Sequence, residues 1–280
     1  MRRIIRTTTI LLALTLLAGP PALAQENGDQ KDEQQQLTAD QIVEKANRVA
    51  YYQAGTGRAD VKMTIYNAKG EVRGERQLVI LRRNVEGGLD QKYYAYFQRP
   101  ADVRGTVFLV WKHTEKDDDR WLYNPSLDLV NRIAAADKRT SFVGTHFFYE
   151  DVSGRNIADD QHELRRTTDH YYVLRHTPKN TDRVEFAYYD TYIHRETFMP
   201  LYTYYYDENG EKYREYRVLK MEKIDSYWTA TRASMIDYRE KGPEDAHTVA
   251  EYSDVEYGIE LPDDIFTERY LRRPPREYLQ

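Results

Sequence analysis

The chain has 280 residues, with 41 lysines and arginines against 46 aspartates and glutamates and a formal net charge of −5 at pH 7. Because charges of both signs are interspersed, the sequence gives no electrostatic reason to expect a nucleic-acid partner. It contains no cysteine, which excludes disulfides and thiolate metal ligands. A chain of this length can bury a core large enough to fold without such cross-links.

The N-terminus has the pattern of a secretory signal peptide. A basic start is followed by an apolar run over residues 10–18 and by an Ala22-Leu-Ala24 cleavage pattern. The run is too short to span a bilayer, and without a cysteine no lipobox acylation is expected. We therefore predict an exported, periplasmic protein. Its predicted parts are a signal peptide at 1–24, a polar flexible leader at 25–37 and a single domain at 38–280.

One strong helix signal precedes a long series of strand signals. Thr38 and Gln41 form a capping-box pattern, and apolar residues recur at helical spacing up to Gly55, which predicts an amphipathic helix. From Arg58 onward, apolar and polar side chains alternate in short segments separated by turns. This is typical of a large antiparallel meander or barrel. Strands are predicted over 58–66, 72–83, 93–98, 106–111, 121–123, 127–133, 171–176, 183–189, 201–206, 213–221, 227–238 and 248–257, with a short terminal helix over 261–271.

Two segments depart from the alternating pattern. Thr106–Trp111 is apolar on both faces, so something other than solvent must cover each side of the sheet there. Ser141–Asp151 contains four aromatic residues and two adjacent carboxylates but follows neither the helix nor the strand period. We interpret it as an irregular segment whose aromatic side chains pack against an apolar surface.

The sequence contains no recognised catalytic signature, and we expect no enzymatic activity, no cofactor and no metal. Glu150 and Asp151 are the best acid–base candidates, because neighbouring carboxylates in different environments can share such roles. We favour a loop-pinning role, in which both accept hydrogen bonds from the backbone around them. His162-Glu163 is predicted to lie in a solvated loop and Asp117–Asp119 at a hairpin tip, in each case rather than in a metal site.

The middle of the chain resembles the outer-membrane lipoprotein-sorting-like family, which is LolA-like. The resemblance rests on Phe97-x-x-Pro-x-Asp-Val-Arg-Gly-Thr-x-Phe-Leu-x-Trp111, Trp121-Leu-Tyr-x-Pro125, Arg132-Ile133, Ser141-Phe-x-Gly144 to Phe148-Tyr-Glu-Asp151, and Phe266-Thr-Glu-Arg-Tyr-Leu271. It implies a mainly β fold, a curved incomplete antiparallel β-barrel covered by helices. It also implies carriage of a lipid or acylated protein, often in partnership with an RND-type inner-membrane transporter.

Three functional hypotheses follow. The first is a periplasmic carrier with a hydrophobic cavity between the helix and the concave sheet, which could touch membranes transiently. The second is an accessory subunit with a filled core that scaffolds an envelope transporter. The third is an enzyme acting on an envelope lipid or glycan through Glu150, Asp151 or a nearby histidine. For the carrier, the residues predicted to line the cavity or its lid are Met63, Ile65, Leu109, Trp111, Phe142, Phe147 and Phe148.

Overall fold

The computed structural model describes residues 37–280, which form one compact unit. The predicted signal peptide, and all of the predicted leader except Leu37, lie outside the described residues. The helices are α1 (Ala39–Tyr51), α2 (Tyr149–Ser153) and α3 (Arg269–Arg272). The strands are β1 (Thr56–Tyr66), β2 (Val72–Asn84), β3 (Gln91–Arg99), β4 (Val107–Lys112), β5 (Asp119–Asn124), β6 (Leu129–Arg132), β7 (Asp160–Thr167), β8 (Tyr171–Pro178), β9 (Tyr188–His194), β10 (Pro200–Tyr206), β11 (Lys212–Ile224), β12 (Tyr227–Asp237) and β13 (Ala246–Tyr257).

All of these strands belong to one antiparallel sheet in the order β6-β5-β4-β3-β2-β1-β13-β12-β11-β10-β9-β8-β7. The first and last strands, β1 and β13, pair at its centre, and the edge strands β6 and β7 are consecutive in the chain. Strands as far apart in the sheet as β2 and β9 line one cavity, so the sheet is strongly curved. The predicted fold class is confirmed: the sheet is an incomplete barrel that does not close between β6 and β7.

Helix α1 starts where the capping-box pattern predicts. The Gln41 N–H donates to Thr38 Oγ1 at 3.2 Å, and the Thr38 N–H donates to Gln41 Oε1 at 2.9 Å. One face of the helix buries Ile42, Val43 and Ala46. The helix ends earlier than predicted, at Tyr51, and its apolar face packs against the sheet.

We expect Thr38→Ala to lower the free energy of unfolding by about 1 kcal/mol, because it leaves the Gln41 N–H without its side-chain partner. Chemical denaturation measures this change. Thr167→Ala, on an exposed part of the edge strand β7, is the control and should change stability by less than about 0.5 kcal/mol. Equal losses in the two variants would show that the cap contributes nothing specific.

Strand β4 has two apolar faces because both sides of the sheet are covered there. Phe108 and Val110 point inward and belong to a cluster that we call the inner cluster. Val107 and Leu109 point outward and belong to the outer cluster. Other members of the inner cluster are Val61, Met63, Leu78, Tyr93, Ala95, Phe97, Phe142, Phe147, Tyr149, Met235 and Ala250. Other members of the outer cluster are Val79, Leu81, Tyr94, Trp121, Leu261, Ile265, Phe266, Leu271 and Leu279. The outer cover is therefore the C-terminal segment of the chain.

Three local predictions are wrong. His162 and Glu163 lie in β7 and not in a loop; this edge strand is almost entirely polar, so no apolar alternation marks it. The segment 183–189 holds the end of a 3-10 helix and only the start of β9. The terminal helix over 261–271 is broken into a 3-10 turn, Asp263–Phe266, and the short α3.

Candidate functional site: an apolar cavity beneath the N-terminal helix

A cavity of about 380 Å³ lies between α1 and the inner face of the sheet. This volume falls within the range of ligand pockets, which are mostly apolar clefts with a few placed polar groups. Its apolar wall includes Val43, Ala46, Val61, Leu78, Met199 and Met235. Its polar end is formed by Glu150, Asp151, Arg155, His176 and Tyr189. The arrangement can hold an apolar molecule with a small polar group.

The structure brings three of the seven predicted lining residues to this cavity: Met63, Phe142 and Phe147. Ile65 is buried on the same face of β1 as Met63 but is not part of the cavity wall. Phe148 is buried beside the cavity, where the guanidinium of Arg214 stacks on its ring at 3.8 Å.

The placement of the remaining two residues, Leu109 and Trp111, is corrected by the structure. Successive residues of a strand point to opposite faces. Since Phe108 and Val110 point inward, Leu109 and Trp111 point outward into the outer cluster. The Trp111 Nε1–H donates to the Phe266 carbonyl oxygen at 2.7 Å, which ties the C-terminal segment to the sheet.

The irregular segment 141–151 lies between the two edge strands in the chain and closes on itself as a small loop. The Phe142 N–H donates to the Phe147 carbonyl oxygen at 2.7 Å, and Ser141 forms a β-bridge with Phe148. Between them Gly144 adopts φ = +78°, a left-handed conformation that favours glycine. The loop turns the rings of Phe142, Phe147 and Tyr149 into the inner cluster. It therefore supplies part of the cavity wall.

Glu150 is 2% exposed and is surrounded by cations. Its carboxylate lies 2.9 Å from Lys138 Nζ, 2.7 Å from Arg139 Nη1 and 3.3 Å from Arg155 Nη1. Burial alone would raise the pKa of this carboxyl, but Arg139, Lys138 and Arg155 outweigh burial and hold the pKa well below its usual range. Glu150 is therefore ionised at neutral pH and has no proton to give as a general acid.

Asp151 accepts a hydrogen bond from the Phe148 N–H at 2.6 Å, in the geometry of a helix N-terminal cap, and pairs with Arg214. Arg214 is fully buried and also donates to the His146 carbonyl oxygen at 2.9 Å. The oxygens of both carboxylates thus bond to groups of the protein itself. Asp151 thus accepts from the backbone of its own loop, as the predicted loop-pinning role requires, whereas Glu150 bonds to side chains and not to the backbone. The role itself stays a prediction.

No local sequence pattern identifies the polar residues that accompany Glu150 and Asp151. Arg139 bonds Glu185 at 2.6 Å, and Arg155 bonds Asp160 at 2.7 Å. His176 lies opposite His162 in the register of β7 and β8, with their Nδ1 atoms 2.8 Å apart. The strand period of β8 places His176 on the inner face, but only the register reveals its partner.

Among residues 37–280, no group of three or more histidine, aspartate or glutamate side chains is placed to hold a metal ion. No helix within the same range has the length and apolar character needed to cross a bilayer.

The fold and its cavity define a class: a curved open sheet with an internal chamber roofed by one helix. A family model described as "Uncharacterized protein" matches residues 89–273, well over half of the chain. The chain belongs to this family, and its fold is LolA-like. No curated protein matches the chain.

Solved structures share this fold. A DUF1329 family protein from Desulfovibrio piger is 28% identical, with a TM-score of 0.74, and the match covers 83% of this chain and 97% of that one. An outer-membrane lipoprotein-sorting protein domain from Vibrio parahaemolyticus is 25% identical, with a TM-score of 0.75 and coverage of 84% and 98%. A LolA superfamily protein from Nitrosomonas europaea is 23% identical, with a TM-score of 0.64 and coverage of 84% and 100%, and shows likeness of fold alone.

Proposed function

We propose that this protein is a periplasmic carrier that binds a lipophilic cargo, a lipid or an acylated protein, in the cavity beneath α1. The observation that carries the proposal is the cavity itself, an apolar space of about 380 Å³ in a fold shared with a lipoprotein-sorting protein domain. Burying an acyl chain gains about 0.8 kcal/mol per methylene. A 16-carbon chain would therefore contribute roughly 10 kcal/mol before the cost of association is subtracted.

The partners proposed for this carrier follow from the same likeness. Cargo would pass between the carrier and an RND-type inner-membrane transporter, with only transient contact with a membrane. Such transfer needs no catalytic step. The polar residues at the end of the cavity fit this view, because Glu150 and Asp151 are occupied by Lys138, Arg139 and Arg214 and are not free for acid–base chemistry.

The alternative, a scaffold subunit, requires a filled core. A cavity of this volume in the middle of the domain favours the carrier, since protein interiors are otherwise close-packed and contain few voids larger than a water molecule. A scaffold would instead be recognised by stable co-purification with a membrane protein and by the absence of any bound amphiphile.

Mass spectrometry of organic extracts from the purified full-length protein tests the carrier proposal directly. A lipid recovered in stoichiometric amount, or saturable binding of a fluorescent acyl probe, is the expected result. The carrier proposal fails if the extract contains no lipid and the probe does not bind.

We expect Ala50→Phe to weaken acyl-probe binding about tenfold or more. Ala50 lines the cavity from α1, and an added ring would displace the equivalent of at least two cargo methylenes. This is about 1.6 kcal/mol, which is slightly more than one factor of ten in affinity. Ala101→Phe makes the same change at an exposed turn after β3 and should leave binding unchanged. Equal affinities in the two variants would place the probe somewhere other than this cavity.

A further inference from the structure

The tyrosines that line the cavity fall into two groups. Three have hydroxyls that are hydrogen-bonded to neighbouring side chains: Tyr93, Tyr189 and Tyr257. The hydroxyls of the others have no hydrogen-bond partner among residues 37–280. We call these residues the open tyrosines: Tyr51, Tyr205, Tyr216 and Tyr252. A tyrosine hydroxyl in a protein interior usually finds a partner, so a whole group without one calls for an explanation.

The hydroxyls of the open tyrosines are accessible from the cavity and are not sealed inside the protein. Within residues 37–280, the side-chain nitrogens and oxygens that are both enclosed and unpaired are Arg120 Nε, Ser153 Oγ, His176 Nε2 and Arg214 Nε. An unpaired tyrosine hydroxyl outside this set has accessible surface. The register turns that surface inward, because residues directly opposite each other on paired strands share a face. Tyr216 lies opposite Met235, and Tyr252 lies opposite Val61, and both partners belong to the cavity wall.

The open tyrosines also share an anionic neighbour. Burial raises the pKa of all of them, to about 12 for Tyr205 and Tyr252, and the Asp151 carboxylate raises each pKa further. Each hydroxyl therefore keeps its proton at neutral pH and can donate it to an acceptor. Asp151 is held by the Phe148 N–H and by Arg214, and it accepts a hydrogen bond from none of the open tyrosines. Their common neighbour places these donors together at the polar end of the cavity.

We propose that the open tyrosines form a subsite that donates hydrogen bonds to the acyl carbonyl oxygen of the cargo. The inference rests on the proposed carrier function and names its cargo as a long-chain ester or amide. A carbonyl oxygen has two lone pairs and no proton, so it can accept from two hydroxyls at once. A free fatty acid fits less well, because its anion would face Asp151 while the cations at this end, Arg155 and Arg214, are already paired.

The test uses three uncharged ligands that share a dodecyl-length chain and a glycerol-like diol. They are the ester 1-monolauroylglycerol, its amide analogue N-(2,3-dihydroxypropyl)dodecanamide, and 1-O-dodecylglycerol, an ether without the carbonyl. Each is used to displace a fluorescent acyl probe from the full-length protein. In the wild type, a carbonyl ligand should bind about five- to tenfold more tightly than the ether, as expected for one net hydrogen bond. The tighter of the two carbonyl ligands shows whether the natural source is an ester or an amide.

Removing the hydroxyls tests the residues themselves. In the variant that combines Tyr51→Phe, Tyr205→Phe, Tyr216→Phe and Tyr252→Phe, the preference over the ether should fall below about twofold. The affinity for the ether should change less than about twofold, because the aromatic rings remain. Tyr257→Phe is the matched control: it removes a hydroxyl from the same cavity, but one that is engaged with Thr229, and it should keep the preference.

Each outcome has a separate meaning. If no ligand displaces the probe, the carrier function itself fails. If all three ligands bind the wild type equally, the carrier stands and the carbonyl subsite is wrong, and a preference that survives in the combined variant also refutes the subsite. Should that variant not fold, the infrared stretch of a carbon-13-labelled ester carbonyl bound to the wild type decides. It should lie below its frequency in hexane, as in a hydrogen-bonded carbonyl, and an unshifted frequency overturns the proposal.

Discussion

Replacing Glu150 by glutamine should lower the free energy of unfolding by about 3–5 kcal/mol at pH 7, the range measured when one partner of a buried ion pair is removed. The carboxylate is the shared anion of Lys138, Arg139 and Arg155. Arg139 keeps Glu185 and Arg155 keeps Asp160 in the variant. Lys138 keeps the Asp159 carboxylate, but at 3.7 Å. Most of the lost stability therefore comes from leaving this buried ammonium without a close partner.

The matched control is Glu163→Gln. Glu163 is exposed and pairs with the equally exposed Arg165 at 2.8 Å. Surface ion pairs contribute less than about 1 kcal/mol, so this variant should unfold almost as the wild type does. Urea denaturation of the three proteins gives the comparison. If the two substitutions cost the same, the cation cluster around Glu150 does not stabilise the loop.

The pH dependence of the same variant has a definite sign. The pKa of Glu150 is lowered from its ordinary value of 4.5. A lowered pKa in the folded state means that the unfolded state binds the proton more tightly, so the stabilisation is fully present above about pH 4.5 and is lost as the pH falls towards the folded value. The stability gap between the wild type and Glu150→Gln should therefore narrow steadily below pH 4.5. A gap that stays constant down to pH 3 would show that the charge is not its source.

The sequence predicted which segments form strands and helices better than it predicted which segments pack against each other. The two apolar faces of Thr106–Trp111 correctly indicated a strand covered on both sides. The sequence of that strand does not indicate which face is turned to the cavity. Alternation distinguishes two faces of a strand but does not show which of them is the inner one. Leu109 and Trp111 lie on the opposite face from the one that the cavity prediction requires. The face on which they lie is covered by the segment 261–279, which is more than 140 residues away in the chain.

The sequence predicted the candidate site only where a local pattern of residues marks it. The aromatic residues of 141–151 stood out because they broke both periods, and Phe142 and Phe147 do reach the cavity. The cations around Glu150 could not be assigned in advance, since Lys138 and Arg155 look like ordinary surface charges in the sequence. Nor does a sequence show whether a curved sheet is hollow. That depends on how side-chain volumes meet across the whole interior.

We expect Phe147→Asp to reduce acyl-probe affinity at least about 100-fold, and far more than Glu150→Gln does. Phe147 lines the cavity and is 6% exposed within the inner cluster. Losing a buried aromatic contact removes about 1.5–3 kcal/mol of apolar burial, and an unpaired carboxylate in its place adds a desolvation cost. Each 1.4 kcal/mol is a factor of ten in affinity. Glu150→Gln leaves the apolar wall intact, so its effect falls mainly on stability.

Separating binding from folding requires two matched core variants, one in the cavity wall and one away from the cavity. Phe147→Ala and Phe266→Ala each truncate a buried phenylalanine, and each should cost about 3–5 kcal/mol of stability. Phe266 lies in the outer cluster and does not line the cavity, so Phe266→Ala should keep its affinity while Phe147→Ala loses it. Probe titrations should be carried out at a temperature at which circular dichroism shows that every variant is folded. If Glu150→Gln weakened binding more than Phe147→Asp, the carboxylate pair and not the aromatic wall would be the centre of the site. That result would favour the enzymatic hypothesis over the carrier.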